Sequence, residues 1–316
     1  MLDSIPYYGG IYTNKNAVEL LTDIFTVAKV PYSIDDVFAD ATVTGYIPFT
    51  TCRDALMQVA FAIQAVIDTS NSEVVKVFEL EEDVKQTIPL NRIMQGQNFE
   101  DEETVTGVEV LVHTYEAAHE NKVVAYNAQE EGTGQKIFVK FSEPLHTLSV
   151  NSENYGNIES SGANYAIVTV VNKNFKLSGY SYVHTTQTRR KNNPVVLASE
   201  IEKVLSVENA TLVSSHNVDK IIETCYNWLS KTNTTNLKIV EGKHVKYGNE
   251  IKYGEKKYGT FKYGEKHPNI ITYDPTVNVG EKIKVETEYL GEPEGRLIKQ
   301  SFNLNGNIII KEAVIK

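Results

Sequence analysis

Residues 45–79 read GYIPFTTCRDALMQVAFAIQAVIDTSNSEVVKVFE and carry the clearest succession of turn, helix and strand in the chain. Pro48 cannot continue a helix from upstream and pushes Ile47 into extended backbone. Thr50 and Thr51 can each accept the free N–H groups of a first helical turn, and Asp54 suits its positive end. Leu56, Val59, Ala60, Ile63 and Val66 then recur at three and four residues, which predicts one buried helix face. Asp68, Ser70 and Asn71 supply the closing turn, and Val74, Val75, Val77 and Phe78 favour a strand. No side chain in the stretch is an evident catalyst.

Upstream, residues 11–30 predict a second helix. Thr13 or Asn14 can cap it, Val18, Leu20, Leu21, Ile24, Phe25 and Ala28 make a broad apolar stripe, and Pro31 stops it. Tyr32-Ser33-Ile34 is a short extended piece before a turn at Asp35-Asp36. The two stripes imply a shared core in a small α/β domain over residues 1–92.

Residues 93–195 are almost wholly strand-like. Val105 to Val112, Val123 to Tyr126, Lys136 to Phe141, Leu145 to Val150, Tyr165 to Val171 and Phe175 to Thr185 each favour a strand. Short strands joined by Asn-, Ser- and Gly-rich connections predict a β-barrel or sandwich. A helix returns at His216 to Lys231, capped by Ser214, Ser215 or Asn217, with Val218, Ile221, Ile222, Cys225 and Leu229 on one face. Trp228, the sole tryptophan, is expected in the core. Lys282 to Tyr289 alternates apolar and polar residues, Gly291 to Gly295 turns it, and Arg296 to Leu304 returns. Asn305-Gly306 then signals a tight hairpin into a third strand. Residues 196–316 therefore predict an α+β domain ending in a β-meander. The fold class is α+β and mostly β: a small N-terminal α/β domain, then barrel or sandwich domains with one returning helix.

A chain of 316 residues is long enough for two or three domains. Its composition, 41% hydrophobic and 23% charged, is that of an ordinary globular protein. The net charge of -10 excludes general nucleic-acid binding, which needs phosphate-neutralising Lys and Arg. Thirteen acidic residues stand between Glu79 and Glu131 against Lys85, Arg92 and Lys122. That stretch reads either as a solvated sheet face or as an electrostatically chosen partner surface. Cys52 and Cys225 lie far apart on predicted helices and read as free thiols. MLDSIPYYGG lacks the basic start and apolar run of a signal peptide. No apolar run approaches the roughly 20 residues that span a bilayer. Synthesis in a cytosol, without a membrane partner, is the expectation.

The sequence offers little chemistry. His113 and His119 are six apart on a predicted strand, hence on one face but roughly 20 Å from each other, so they cannot share a metal. No nucleophile elbow, phosphate loop or dinucleotide fingerprint occurs, and Gly132-Thr133-Gly134 reads as a loop. Glu100-Asp101-Glu102-Glu103 offers carboxylates in one solvated cluster, whereas paired acids around a cleft come from separate segments. No catalytic residue, metal site or cofactor is predicted. One constellation looks suited to binding. Lys-Tyr-Gly recurs four times, placing Tyr247, Tyr253, Tyr258 and Tyr263 in an arm over residues 243–266 with seven lysines and three glutamates. Those tyrosines could stack on wall glycan with the lysines attracting an anionic polymer, or pack on a neighbouring subunit.

A resemblance adds to this reading. Gly45-Tyr46-Ile47-Pro48, Cys52-Arg53-Asp54-Ala55-Leu56, Gln58-Val59-Ala60-Phe61-Ala62-Ile63 and Asp68-Thr69-Ser70 together resemble tail or baseplate hub-like proteins of phages and prophages of Gram-positive bacteria. In that family an arginine is usual at the position of Asn71, a glutamate at Asp54 and a glycine at Gln64. Gly9-Gly10-Ile11-Tyr12 resembles the segment leading into the first helix. Val279-Gly280-Glu281-Lys282-Ile283, Tyr289-Leu290-Gly291 and Gln300 to Gly306 are similar to the closing strands. The resemblance implies a non-enzymatic virion structural protein that joins the tail tube to the tip. It implies self-association, as a homotrimer, with tail tube and other baseplate proteins as partners, and assembly in the host bacterial cytoplasm. Family members extend further at the N-terminus, which implies an upstream domain that is missing or separately encoded. Two other expectations compete: a module of the same particle that binds bacterial cell-wall polymer, and a wall hydrolase.

Overall fold

A computed structural model describes residues 2–69, 73–94, 98–101, 105–193, 203–230, 233–243, 279–287, 292–305 and 308–316. The chain divides into two compact units, Met1–Glu79 with Val105–Ser230, and Leu80–Thr104 with Lys231–Lys316. The architecture is α+β and mostly β, with three α-helices among the described residues.

In the first unit, strand Gly10–Asn16 pairs antiparallel with Thr42–Ile47, from Gly10 opposite Ile47 to Asn16 opposite Thr42. Helix α1 is Ala17–Ala28, later than the expected start. Its cap is Asn16, whose side-chain oxygen accepts from the Glu19 N–H at 3.0 Å. Residues 11–16 lack the apolar repeat and are taken into the sheet instead. Leu20, Leu21, Ile24, Phe25 and Ala28 are buried, as the stripe predicts. Helix α2 is Cys52–Ile63. The Thr51 hydroxyl accepts from the Asp54 N–H at 3.1 Å, while the Asp54 carboxylate accepts from the Thr51 and Thr50 hydroxyls. This reciprocal cap fixes the start of the helix. Its end differs from expectation. Gln64 takes the left-handed conformation at φ 61°, and its N–H and that of Ala65 close on Phe61 and Ala60 carbonyls. Val66 therefore belongs to strand Val66–Asp68 and not to the helix face. Strand Val75–Phe78 lies between that strand and Tyr32–Ile34. Phe25, Leu20, Ile24, Ile47, Leu56 and Val59 meet in one core.

Gly45 has φ +142°, and a Cβ there would strike the Thr211 carbonyl, so only glycine lets strand Thr42–Ile47 lie this close to residues 211–212.

The expected strands at Val105–Val112 and Val123–Tyr126 are parts of a single strand, Gly107–Asn127. It runs antiparallel to Lys176–Asn192 from Gly107 opposite Asn192 to Asn127 opposite Lys176, with register shifts at 117–122 and 124–126. Leu145–Val150 and Val204–Val207 complete that sheet. A second sheet orders Lys136–Lys140, Tyr165–Val170 and Gly156–Ser161. Phe141, Leu145, Val168, Val170, Phe175 and Leu177 form a core to which both sheets contribute. Helix α3, Val218–Leu229, packs through Val218, Ile221 and Ile222 on Val108, Val110 and Val112 of the long strand. Asn217 precedes it, but its side chain serves the incoming loop: Oδ1 accepts from the Ser214 N–H and Nδ2 donates to the Ala62 and Leu212 carbonyls. Trp228 is 36% exposed, on the outer side of the helix and not in the core.

The second unit is one six-stranded sheet in the order Val84–Ile88, Lys282–Val285, Glu294–Asn305, Ile308–Ile315, Asn233–Lys243, Asn98–Asp101. The predicted three-strand meander forms its centre. Asn305 pairs with Ile308, and the intervening Gly306 and Asn307 lie outside the described residues. Ile88, Leu237, Ile239, Ile283, Val285, Leu297 and Ile315 are buried together. The end strands Val84–Ile88 and Asn98–Asp101 do not pair with each other, and among the described residues no sheet closes into a barrel.

Candidate functional site

The most site-like surface is aromatic and lies in the first unit. Pro6-Tyr7 pairs antiparallel with Thr50-Thr51, which holds Tyr8 beside the loop carrying Phe49. Gly9, at φ +63°, turns the chain into strand Gly10–Asn16. On the outer face of the three-stranded sheet, Phe138 stands opposite Ile167 and Lys140 opposite Tyr165, while Val139, Ala166 and Val168 point to the core. The Tyr8 ring lies 4.6 Å from Tyr165, 5.5 Å from Phe138 and 5.7 Å from Phe49. Lys140 Nζ sits 4.3 Å from the centre of the Phe49 ring, a cation–π contact. Tyr8 and Phe138 remain 43% and 42% exposed. That is far more than close ring packing in a core would leave.

Tyr8 and Tyr165 also wall a cleft of about 740 Å³, shared with Tyr7, Tyr12, Lys15, Glu19 and Asp23. The Tyr7 hydroxyl donates to Asp23 Oδ2 at 2.8 Å and lies 3.4 Å from the Tyr12 hydroxyl. Since Tyr7 has a single proton and gives it to Asp23, Tyr12 is the donor in the second bond. Burial raises the pKa of Tyr7 and of Tyr12, so both stay neutral phenols. Lys15 pairs with Glu19 at the rim.

A second polar group is enclosed. His113, 6% exposed, brings Nε2 to 3.0 Å from the Glu208 carbonyl and Nδ1 to 3.0 Å from His184 Nε2. The carbonyl can only accept, so Nε2 carries the proton and Nδ1 accepts from His184. Burial lowers the His113 pKa, the Glu208 carbonyl opposes that shift, and the neighbouring His184 adds to it. Tyr115 stacks on His184 at 4.4 Å and lies 5.3 Å from Tyr46. Burial pushes the Tyr115 phenol up to about 12. Tyr46 donates to Asn164 Oδ1 at 2.9 Å, and Asn164 donates to the Tyr8 and Ile47 carbonyls. Both ring nitrogens of His113, the Tyr46 hydroxyl and the Asn164 amide are committed to structural bonds. This chain of contacts fastens strand Thr42–Ile47 to the β-sheets of the same unit.

His113 and His119 share the long strand, but each faces a different histidine. His119 lies 5.3 Å from the His146 ring, edge-on. Among the described residues no three His, Cys, Asp or Glu side chains gather as metal ligands. Cys52 is buried and Cys225 half-buried; both are free thiols whose pKa is raised by burial, which makes them poor nucleophiles. Glu100 and Asp101 lie in a strand of the second unit, and Glu102 and Glu103 fall outside the described residues. Tyr247, Tyr253, Tyr258 and Tyr263 also lie outside them. Sequence reasoning passed over Tyr8, Phe49, Phe138, Tyr165 and Asp23. Its one available signal was Tyr7-Tyr8-Gly9-Gly10 with Tyr12, three tyrosines around a glycine pair.

No model of a known protein family matches this chain, and no curated protein matches it. Solved structures do. The fold is similar to that of the tail protein from Neisseria meningitidis MC58, with a TM-score of 0.50 and 9% identity, over 100% of this chain and 71% of that one. Also similar are the 43 kDa tail protein of prophage MuSo2 from Shewanella oneidensis (TM-score 0.47, 8% identity, 97% of this chain and 67% of that one) and a chain of the virion of a native gene transfer agent particle (TM-score 0.44, 8% identity, 94% and 46%). At such identities the likeness defines a fold.

Proposed function

We propose that this chain is a structural protein of a phage tail or tail-like particle, and that it serves at the baseplate hub, joining tail tube to tip. The observation that carries the reading is the fold likeness to the Neisseria tail protein, which extends over the whole of this chain. The family resemblance of Gly45–Pro48, Cys52–Leu56 and Gln58–Ile63 supports it independently, and favours particles of Gram-positive bacteria. The enclosed polar groups support a scaffold without enzymatic activity: the buried His113 and Asn164 and the half-buried Tyr46 spend their hydrogen bonds on holding strands together. On this reading the chain is assembled in the host cytoplasm into a homotrimer and resides in the virion. Tail parts associate through symmetric, permanent interfaces. Multi-angle light scattering at micromolar concentration, alone and with the tail tube protein, tests this. A trimer is expected; a monomer under both conditions overturns the hub reading.

A further inference from the structure

We propose that the cleft beside Tyr8 and Tyr165 binds a neutral saccharide. The lining decides the ligand class. The aromatic lining, above all the 43%-exposed Tyr8 backed by the half-buried Tyr165 4.6 Å away, offers a flat apolar surface against which the C–H face of a pyranose can lie. An aliphatic ligand alone would bury the hydroxyls and charges of Tyr7, Tyr12, Lys15, Glu19 and Asp23 without partners, which is costly. The polar atoms are chiefly acceptors. Tyr12 gives its proton to Tyr7, and Tyr7 gives its own to Asp23 Oδ2, so the Tyr12 oxygen and the Asp23 carboxylate can receive further donors. A ligand with outward hydroxyl or amide N–H groups on a flat ring supplies those donors. Lys15 and Glu19 neutralise one another, which leaves Asp23 to disfavour an anion.

The concave form favours a small ligand over a flat protein contact, since a cleft of about 740 Å³ lies in the range of ligand sites and accommodates several sugar rings. Phe138 and Phe49 extend the aromatic surface beyond the cleft, where a longer oligosaccharide would continue. The inference rests on the cleft alone and does not require the particle role. It also differs from the Lys-Tyr-Gly arm, both in residues and in charge.

The test uses the full chain with chitotetraose, cellotetraose and maltotetraose as probes, read by saturation-transfer NMR and calorimetric titration. At least one probe is expected to bind. Tyr8→Ala should weaken it by roughly tenfold, the scale of losing one stacked ring, and Asp23→Asn should weaken it without abolishing it. Tyr8 keeps 43% of its surface exposed, so its loss should leave the circular dichroism unchanged and lower the thermal midpoint only modestly, through the lost ring contacts. Sialyllactose, an anionic probe, should bind less well than the best neutral one. Absence of binding to all three neutral probes overturns the proposal, as does a Tyr8→Ala variant that binds as wild type. If the sugars fail while Tyr8→Ala alters the sedimentation of the chain, the aromatic face is a protein interface and the saccharide site is rejected.

Discussion

The two units bury their apolar residues by different means. In the first, α1 and α2 bring Phe25, Leu20, Leu21, Ile24 and Leu56 into one core, and Phe25 stacks on Tyr32 at 4.8 Å. In the second, the core among the described residues is a sheet face of Ile, Val, Leu and Ala side chains. The second unit also buries a charge. Arg296 is 7% exposed; its Nη1 donates to the Glu81 carbonyl at 2.8 Å and to the Gly280 carbonyl at 3.1 Å, and its Nη2 pairs with Glu82. The contrast teaches where each fold is vulnerable. The first unit depends on the volume of a few large side chains, the second on strand pairing and one guanidinium that ties three segments together.

The largest expected effect follows from volume. Phe25→Ala removes a fully buried ring from a core that can collapse only in part, at a cost of about 3–5 kcal/mol. Urea unfolding followed by Trp228 fluorescence measures it, because the sole tryptophan lies on α3 of the first unit. Hydrogen exchange of strand Lys282–Val285 should stay as in wild type; equal acceleration in both units would break the comparison. Arg296→Ala is expected to cost less, about 2–3 kcal/mol, by removing two hydrogen bonds from a charged donor to backbone carbonyls. Little of that loss is assigned to the ion pair, because the Glu82 side chain is mostly in solvent. Here the exchange of Lys282–Val285 and Glu294–Asn305 should quicken while the Trp228 transition holds.

The same contrast explains what could be read from the chain. Helix α2 was legible because its determinants are local: Thr51 and Asp54 three residues apart, then an apolar repeat. Its end was not, because Gln64 enters the left-handed conformation without the glycine that would announce it. The strand Gly107–Asn127 looked like two, since the polar run from His113 to Lys122 suggests a break; pairing with Lys176–Asn192 overrides that local signal. The meander in the second unit was legible because Asn305-Gly306 and strand alternation lie next to each other in sequence. The cleft was hidden for the opposite reason. Phe138 and Tyr165 become neighbours only when strands Lys136–Lys140 and Tyr165–Val170 pair, and Tyr8 reaches them from the far end of the chain.

The smallest effect in this series is a pH dependence confined to the first unit. The folded protein keeps His113 neutral further into acid than the unfolded chain does, because burial and His184 outweigh the help of the Glu208 carbonyl. As pH falls below about 6.5, the ordinary histidine value, the unfolded chain therefore takes up the proton first. The stability that neutral His113 contributes is full above that pH, declines as pH drops toward the lower folded value, and levels off beneath it. The described residues of the second unit contain no histidine, so its sheet should not share this dependence between pH 7 and 5 through that residue type. The Trp228-reported urea midpoint should fall from pH 7.5 to pH 5.5 in wild type and change less in His113→Gln, whose amide can still donate toward the Glu208 carbonyl and accept from His184. An undiminished pH slope in His113→Gln would assign the acid sensitivity to other groups. An equal slope for exchange in Lys282–Val285 would mean that the two units respond to acid as one.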